Sequence, residues 1–377
     1  MGSSVRPRHW PGRGAVPPLT FATNRSVLHG TGAVQRIFAA PKSTTVHEPN
    51  DLPSLPYETQ VGTSVEQALE WLRAGETVAL PTETVYGLAG NALDAQSVAR
   101  IFAAKNRPSF DPLLVHVDCV ASARKYAELP DWVAAALEKN GPGPLTFVVP
   151  KKDCIPDLVT SGLPTVGIRI PNHPLFLDVL RQLPFPLAAP SANPFGYISP
   201  TTAQHVLDQL YGKIPYILDG GACAIGVEST IVDATLPIPT VVRLGGTTVE
   251  QVEALLGRTV DVRTHSSSRP QAPGLLESHY APRIPLILVD EHEVVEVPCG
   301  WAVVGYRNIA HWIQVDPNRS WLLTPQNNDC EAAANLFAFL RAADSSGAQG
   351  IVASRAPHHG LGPAINDRLQ RAAHFPG

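Results

Sequence analysis

From residue 64 onward, apolar positions fall into two alternating rhythms. Val65, Ala68, Leu69 and Leu72 recur at helical spacing behind Ser64. Ser64 and Gln67 have capping-box spacing, and Gly75 suits the position just past the helix end. Residues 77–80 are a short apolar run, expected as a buried strand. A Pro-Thr-Glu-Thr turn follows, and Asp94 is placed to cap a helix with an apolar face of Val98, Ile101 and Phe102, stopped by Pro108. In 113–117, Leu113, Val115 and Val117 share one strand face, so His116 takes the other. The same pattern predicts a helix over 131–139 ended by Gly141. It predicts strands over 145–150, 166–170, 187–189, 216–218, 230–232, 241–244 and 259–263. Helices are expected to open at Pro174, and at Thr201 and Thr248 with capping boxes. Several strand connections lack a helix, so the sheet is expected to be mixed.

After a Ser/Pro-rich stretch, a fresh alternation predicts strands over 285–289, 301–305, 321–323 and 350–353. Helices are expected over 331–342 and from 363. That is a second, smaller α/β domain. The first 55 residues differ from both: Arg6, Arg8, Arg13, Arg25 and Arg36 precede the first acid, Glu48, among many prolines. A disordered tail or an over-extended start is one reading and an Arg-rich organelle transit peptide the other, and the prolines count against the transit peptide. The expected organisation is an extension, 1–57, a catalytic domain, 58–264, a linker and lid, 265–283, and a smaller α/β domain, 284–377.

Composition narrows the classes. The 377 residues are 44% hydrophobic and 16% charged with a net charge of −4, which suits a compact globular chain and not a nucleic-acid-coating protein. Five scattered cysteines without a CxxC pair indicate neither a zinc site nor a disulfide framework, and fit a reducing compartment. No apolar run approaches the ~18–20 residues of a membrane span. A cytoplasmic location is expected, with an organelle-targeted pool through the extension as a second expectation.

Phosphate-binding Gly-rich loops are absent from the sequence, as are GxSxG and HExxH. Any nucleotide must therefore be held by side-chain cations and hydroxyls. Lys105 and Arg107 at a helix end fit a phosphate clamp or a solvated helix terminus. His116 fits a ligand contact or a satisfied core histidine. Arg169, among β-branched residues in a strand, fits a carboxylate site or a buried ion pair. Ser191-Ala192-Asn193 fits a ligand turn at a strand's end or plain turn chemistry. Glu228-Ser229-Thr230 and Arg243 fit a site or a surface strand. Together they suggest a polyanion such as ATP beside a small polar substrate. No nucleophile is paired with a base, which favours positioning and electrostatics.

At these residues the chain resembles the threonylcarbamoyl-AMP synthases, YrdC-like enzymes, in their long two-domain form. The resemblance rests on Pro81-Thr82-Glu83-Thr84-Val85-Tyr86-Gly87-Leu88, Lys105-Asn106-Arg107-Pro108 and Pro112-Leu113-Leu114-Val115-His116. It extends through 142–146, 166–174, 191–196, 228–233, His279-Tyr280-Ala281-Pro282 and 360–368. It implies a mixed twisted-sheet YrdC-like domain followed by a smaller Rossmann-like α/β domain. The implied reaction makes threonylcarbamoyl-AMP and pyrophosphate from L-threonine, bicarbonate and ATP, for t6A modification of tRNA by a downstream threonylcarbamoyl transferase complex.

By motif position, the resemblance implies that Thr84, His116, Arg169, Ser191 and Ser229 hold threonine, and that Lys105 and Arg107 face the triphosphate. Asp111, Thr165, Asn193, Thr201 and Arg243 would line the nucleotide, with Tyr280 closing over it. Mg2+ would arrive with ATP without a metal cage of its own. Asp111, Phe195 and Leu244 stand where the family usually has Asn, Ser and Pro. Other readings are a carbamoyl-adenylate module of hydrogenase maturation, whose CxxC segments are missing here, and an RNA-binding module. A weak tRNA or RNA contact stays open, and a structural protein fits least.

Overall fold

The computed structural model describes residues 57–264, 273–274 and 279–373. The expected extension lies outside them apart from Tyr57, as does most of the expected linker. Eleven strands form the larger sheet: β1 (Gln60–Gly62), β2 (Val78–Leu80), β3 (Gly87–Asn91), β4 (Leu114–His116), β5 (Leu145–Pro150) and β6 (Thr165–Arg169), then β7 (Leu187–Ala188), β8 (Tyr216–Leu218), β9 (Thr230–Asp233), β10 (Thr240–Arg243) and β11 (Asp261–Val262). Their order is β1-β8-β2-β3-β7-β4-β6-β5-β9-β10-β11. The sheet is mixed, as expected: β4–β6 and β5–β9 pair parallel, β5–β6 and β4–β7 antiparallel. Strands β12 (Leu286–Val289), β13 (Ala302–Gly305), β14 (Ser320–Leu322) and β15 (Ile351–Ser354) form a second sheet, all parallel, in the order β12-β15-β13-β14.

The predicted strands are present, with two additions, β1 ahead of the first of them and β3. The β3 sequence, Gly-Leu-Ala-Gly-Asn, carries no alternation because two of five side chains are missing. It is a strand because it returns antiparallel on β2. A Cβ at Gly90 would lie 2.7 Å from Ser97 Oγ, so glycine lets the next helix close on it. That helix, Ala95–Lys105, is capped by Asp94 as predicted, but it ends at Asn106 in the left-handed conformation (φ 50°), two residues before Pro108. Helices over Val120–Tyr126 and Asp157–Thr160 are further additions.

Capping is only partly as expected. Ser64 accepts from the Gln67 N–H, but the Gln67 side chain donates to Gln60, so only half the box forms. The helix Ala203–Leu210 is capped by Thr202, one residue later than predicted. The box at Thr248 is complete.

Two hydrophobic cores position the site. One fills the larger sheet and its helices. The other belongs to both sheets. Val85, Ile198 and Val227 of the larger unit, with Tyr280, pack among Leu336, Phe337, Ile351 and Ile365 of the smaller one. The two approach closely at Gly226 (φ +77°), where a Cβ would lie 2.4 Å from the Ala333 carbonyl in the helix Asp329–Ser345. Among the described residues, no helix is long and apolar enough to cross a membrane. All five cysteines are free.

Candidate active site

The site begins with strand register. His116 on β4 stands beside Arg169 on β6, and Arg169 stands beside Thr146 on β5. Side chains at matched positions share a sheet face, so the three form a row. Ser229, just before β9, extends it, with its Oγ 2.8 Å from Thr146 Oγ1. A turn over 82–85 closes one end. There, Thr82 Oγ1 accepts from the N–H groups of Thr84 and Val85 at 3.0 and 3.1 Å. Thr82, Arg107, His116, Arg169, Ser191, Glu228, Arg243, Pro273, Gly274, His279 and Tyr280 all face one cleft.

Arg169 is the centre of the row. Its Nη2 donates to Glu83 Oε1 at 2.7 Å and to Thr84 Oγ1 at 2.9 Å. Glu83 Oε2 accepts from the Asn172 N–H at 3.0 Å. Arg169 Nη1 has no hydrogen-bond partner among the described residues and is the donor left for a ligand. The arginine thus has one edge in a buried ion pair and the other open. Glu83 was legible but not singled out, since an arginine in an apolar strand requires a buried acid.

His116 is buried beside the Phe176 ring, at 5.3 Å between centroids, with Nδ1 unpartnered. Burial, and then the nearby Arg169 charge, push its pKa down to about 3. At neutral pH it is an uncharged imidazole: a hydrogen-bonding group, and too weak a base for proton abstraction.

Arg243 binds inward. Its Nε and Nη2 donate to the Ser229 carbonyl, Nη2 also to Ser229 Oγ at 3.0 Å, and Nη1 to the Pro273 carbonyl at 3.0 Å. It thereby ties the Ser229 end of the row to Pro273. Tyr280 holds φ +62° and is buried, its ring stacked on Phe337 with centroids 5.4 Å apart. His279, beside it, is also buried, and burial pushes its pKa down to about 3.

Lys105 departs from expectation. It is turned inward instead of standing out at the helix end. Its Nζ donates to the carbonyls of Ser191, at 2.5 Å, and Asn193. Burial, and then the Arg107 charge, hold its pKa well below the usual lysine range. It does not face the cleft. It fixes the turn that presents Ser191, and of the pair only Arg107 lines the cleft.

Arg107 faces the cleft, with Nε donating to the Asp111 carbonyl at 3.1 Å and Nη2 to the Pro112 carbonyl at 2.9 Å. Its Nη2 also lies 2.8 Å from Asp111 Oδ2, yet neither carboxylate oxygen of this buried acid receives a directed hydrogen bond. Asp111 therefore faces a cation and partly cancels the Arg107 charge. Phe195 lies beneath that guanidinium, 5.9 Å from it. Asp111→Asn keeps the shape and frees the charge. The KM for ATP is expected to fall about tenfold, ~1.4 kcal/mol. An unchanged KM would show that Arg107 carries little of the phosphate binding.

Four expected nucleotide residues, Asp111 among them, do not line this cleft. Thr165 faces a neighbouring one that shares Leu114 and Pro273 with it. Asn193 donates through Nδ2 to the carbonyls of Pro194 and Tyr197, and Thr201 contacts His205 Nδ1 at 3.3 Å. Among the described residues, no three His, Cys, Asp or Glu side chains are grouped to hold a metal ion. Sequence reasoning named Glu228 only as part of its cluster and passed over Arg368. Arg368 is paired with Glu228 at 2.8 Å, a contact spanning 140 residues that no local pattern signals.

Residues 70–245 match the Sua5/YciO/YrdC family model, described as telomere recombination. Residues 247–374 match the threonylcarbamoyl-AMP synthase C-terminal domain. The chain is 37% identical over 320 residues to a threonylcarbamoyl-AMP synthase of Pyrococcus abyssi, covering 82% of this chain and 93% of that one. It is 38% identical over 327 residues to the Bacillus subtilis protein of the same name, covering 82% and 92%. The structure of P. abyssi Sua5 complexed with L-threonine is similar with a TM-score of 0.75 and 35% identity, covering 84% of this chain and 96% of that one.

Proposed function

The chain belongs to the Sua5/YrdC family of threonylcarbamoyl-AMP synthases in its two-domain form, and on that premise we propose how its cleft works. The enzyme makes threonylcarbamoyl-AMP from L-threonine, bicarbonate and ATP, releases pyrophosphate, and serves t6A modification of tRNA. The observation that carries the reading is the row His116–Arg169–Thr146–Ser229, with the open edge of Arg169 at its centre.

Threonine's carboxylate meets Arg169 Nη1. Thr84, Ser191, Ser229 and neutral His116 surround its amine and hydroxyl with hydrogen-bonding atoms. The amine takes up carbon dioxide from bicarbonate as a carbamate. A carbamate oxygen then bonds to the α-phosphorus of ATP, and the bond from that phosphorus to the leaving pyrophosphate breaks. Arg107 meets the growing phosphate charge, and a preorganised guanidinium in a water-poor cleft is effective there. Arg243 joins it by exchanging the Pro273 carbonyl for phosphate oxygen. Lys105 acts from behind, holding the Ser191 turn in place.

The nucleotide extends toward the neighbouring cleft with Thr165, past Pro273. Pro273, Gly274 and Tyr280 line the cleft, and with them in place water is kept from a labile adenylate. Magnesium comes as a substrate companion on the phosphates. The acids at the cleft are already bound to arginines, Glu83 to Arg169, Glu228 to Arg368 and Asp111 to Arg107, so phosphate oxygens and water supply its ligands. A threonylcarbamoyl transferase consumes the product. The match over 247–374 takes the place of the hydrogenase-maturation reading. A cytoplasmic location is proposed, in keeping with five free cysteines.

The test is pyrophosphate release with and without L-threonine and bicarbonate, alongside Arg107→Ala. Release is expected to need both co-substrates. Arg107→Ala is expected to lower kcat/KM for ATP by ~10²–10³, the usual cost of removing one preorganised charge donor. Release without threonine would overturn the reading.

A further inference from the structure

Arg368 sits on the helix Gly362–Ala373 of the smaller domain and is completely buried. Its guanidinium reaches three segments outside its own helix. Nε donates to Glu228 Oε2 at 2.8 Å, and Nη2 donates to the Leu244 carbonyl at 2.8 Å. Its Cζ lies 5.1 Å from the centre of the Tyr280 ring. Nη1 donates to Asp367 at 2.7 Å, which fixes the fork on its helix.

Each of those contacts borders a residue of the cleft. Glu228 faces it and precedes Ser229. Leu244 follows Arg243, whose side chain holds Ser229. Tyr280 covers the cleft from the linker. Glu228 is gripped from the other side too: its Oε1 accepts from Ser199 Oγ at 2.7 Å, and Arg341 of the smaller domain donates to the Ser199 carbonyl at 3.2 Å.

We propose that Arg368 is a positioning residue for adenylate formation. It sets the cleft wall over 228–229 and 243–244 and the seat of the Tyr280 ring at the same time, so the wall is in register only while the last helix is docked. An isolated ion pair would need only Glu228. The fork instead divides its donors among an acid, a carbonyl and an aromatic face, which a lysine's point charge cannot reproduce.

The inference rests on the synthase reading, so the unaltered full chain is assayed beside the variants. Absent turnover there would sink that reading and not this one. Arg368→Met leaves Glu228 without its counter-ion, so Glu228→Gln and the double variant are compared. In the double variant, Tm is expected to return to that of Glu228→Gln. Its kcat is expected to stay at least about tenfold below that of Glu228→Gln, a barrier rise of ~1.4 kcal/mol. Equal kcat in the two would make Arg368 a structural partner only and overturn the proposal. Should Arg368→Met fail to fold alone, Arg368→Lys keeps the charge and decides. A near-normal Tm with about tenfold lower kcat is expected, with the KM for threonine changed less. Full kcat in the lysine variant would overturn the proposal as well.

Discussion

Arg169→Ala is expected to lower kcat/KM for threonine by ~10³ or more, since it removes the open donor edge at the centre of the row and unseats Thr84 at once. Stability falls as well. The Arg169 and Glu83 side chains are only 5% and 9% exposed, and breaking a buried pair from one side costs ~3–5 kcal/mol. The two effects separate cleanly. Arg169→Ala with Glu83→Gln removes both charges and is expected to recover much of the thermal stability and none of the threonine-dependent turnover. Threonine binding measured by calorimetry without ATP isolates the ground-state contribution. Arg169→Lys is expected to fall short of rescue, because one ammonium cannot serve Glu83 and a bound carboxylate in the same plane. Threonine binding at normal strength in Arg169→Ala would move the substrate carboxylate elsewhere.

Removal of everything from Pro273 onward is expected to abolish turnover and to destabilise the remaining domain. From sequence, such a truncation should impair turnover more than folding. The shared core changes that expectation. Val85, Ile198 and Val227 lose their packing partners, Gly226 loses its helix, and Glu228 loses Arg368. At ~1.5–3 kcal/mol for each large apolar side chain returned to water, the loss outweighs any one surface feature. At ~2–4 °C for each kcal/mol in a domain of this size, Tm should drop by roughly 10–20 °C. Thermal unfolding and pyrophosphate release from the truncated chain check both parts. A truncate with unchanged Tm and full activity would mean that the smaller domain is accessory and that the shared core contributes little.

How far the chain could be read depended on how local each signal was. Strands β4 and β6 were legible because their apolar faces alternate, and alternation alone put His116 on the face away from the core. The helix after Asp94 was legible from its cap and apolar stripe. Strand β3 was not, since glycines hide the alternation that pairing with β2 and β7 supplies in space. The misplaced cap at Thr202 has a local cause: Thr201 and Thr202 are both good caps, and Thr201 is occupied by His205. At the site, the cations could be named from sequence but not the direction in which they point. Lys105 turns inward because two carbonyls of a turn 86 and 88 residues away meet it there. Glu83 and Arg368 were passed over for the same reason, since their partners are set by the closing of the sheet.

The distance along the chain between Glu228 and Arg368 also bears on how the enzyme is made. Contacts of high sequence separation form late, because a long loop must close before they contribute anything. A chain synthesised from its N-terminus can pair β1 with β8 and finish the larger sheet before Arg368 has been added. In that interval Glu228 has no counter-ion, and the apolar face around Val85, Ile198 and Val227 is open to water. The growing chain is then at its most aggregation-prone, and shielding of that face would matter more to yield than any property of the finished cleft. Catalytic competence, on this ordering, arrives in one late step when the final helix docks.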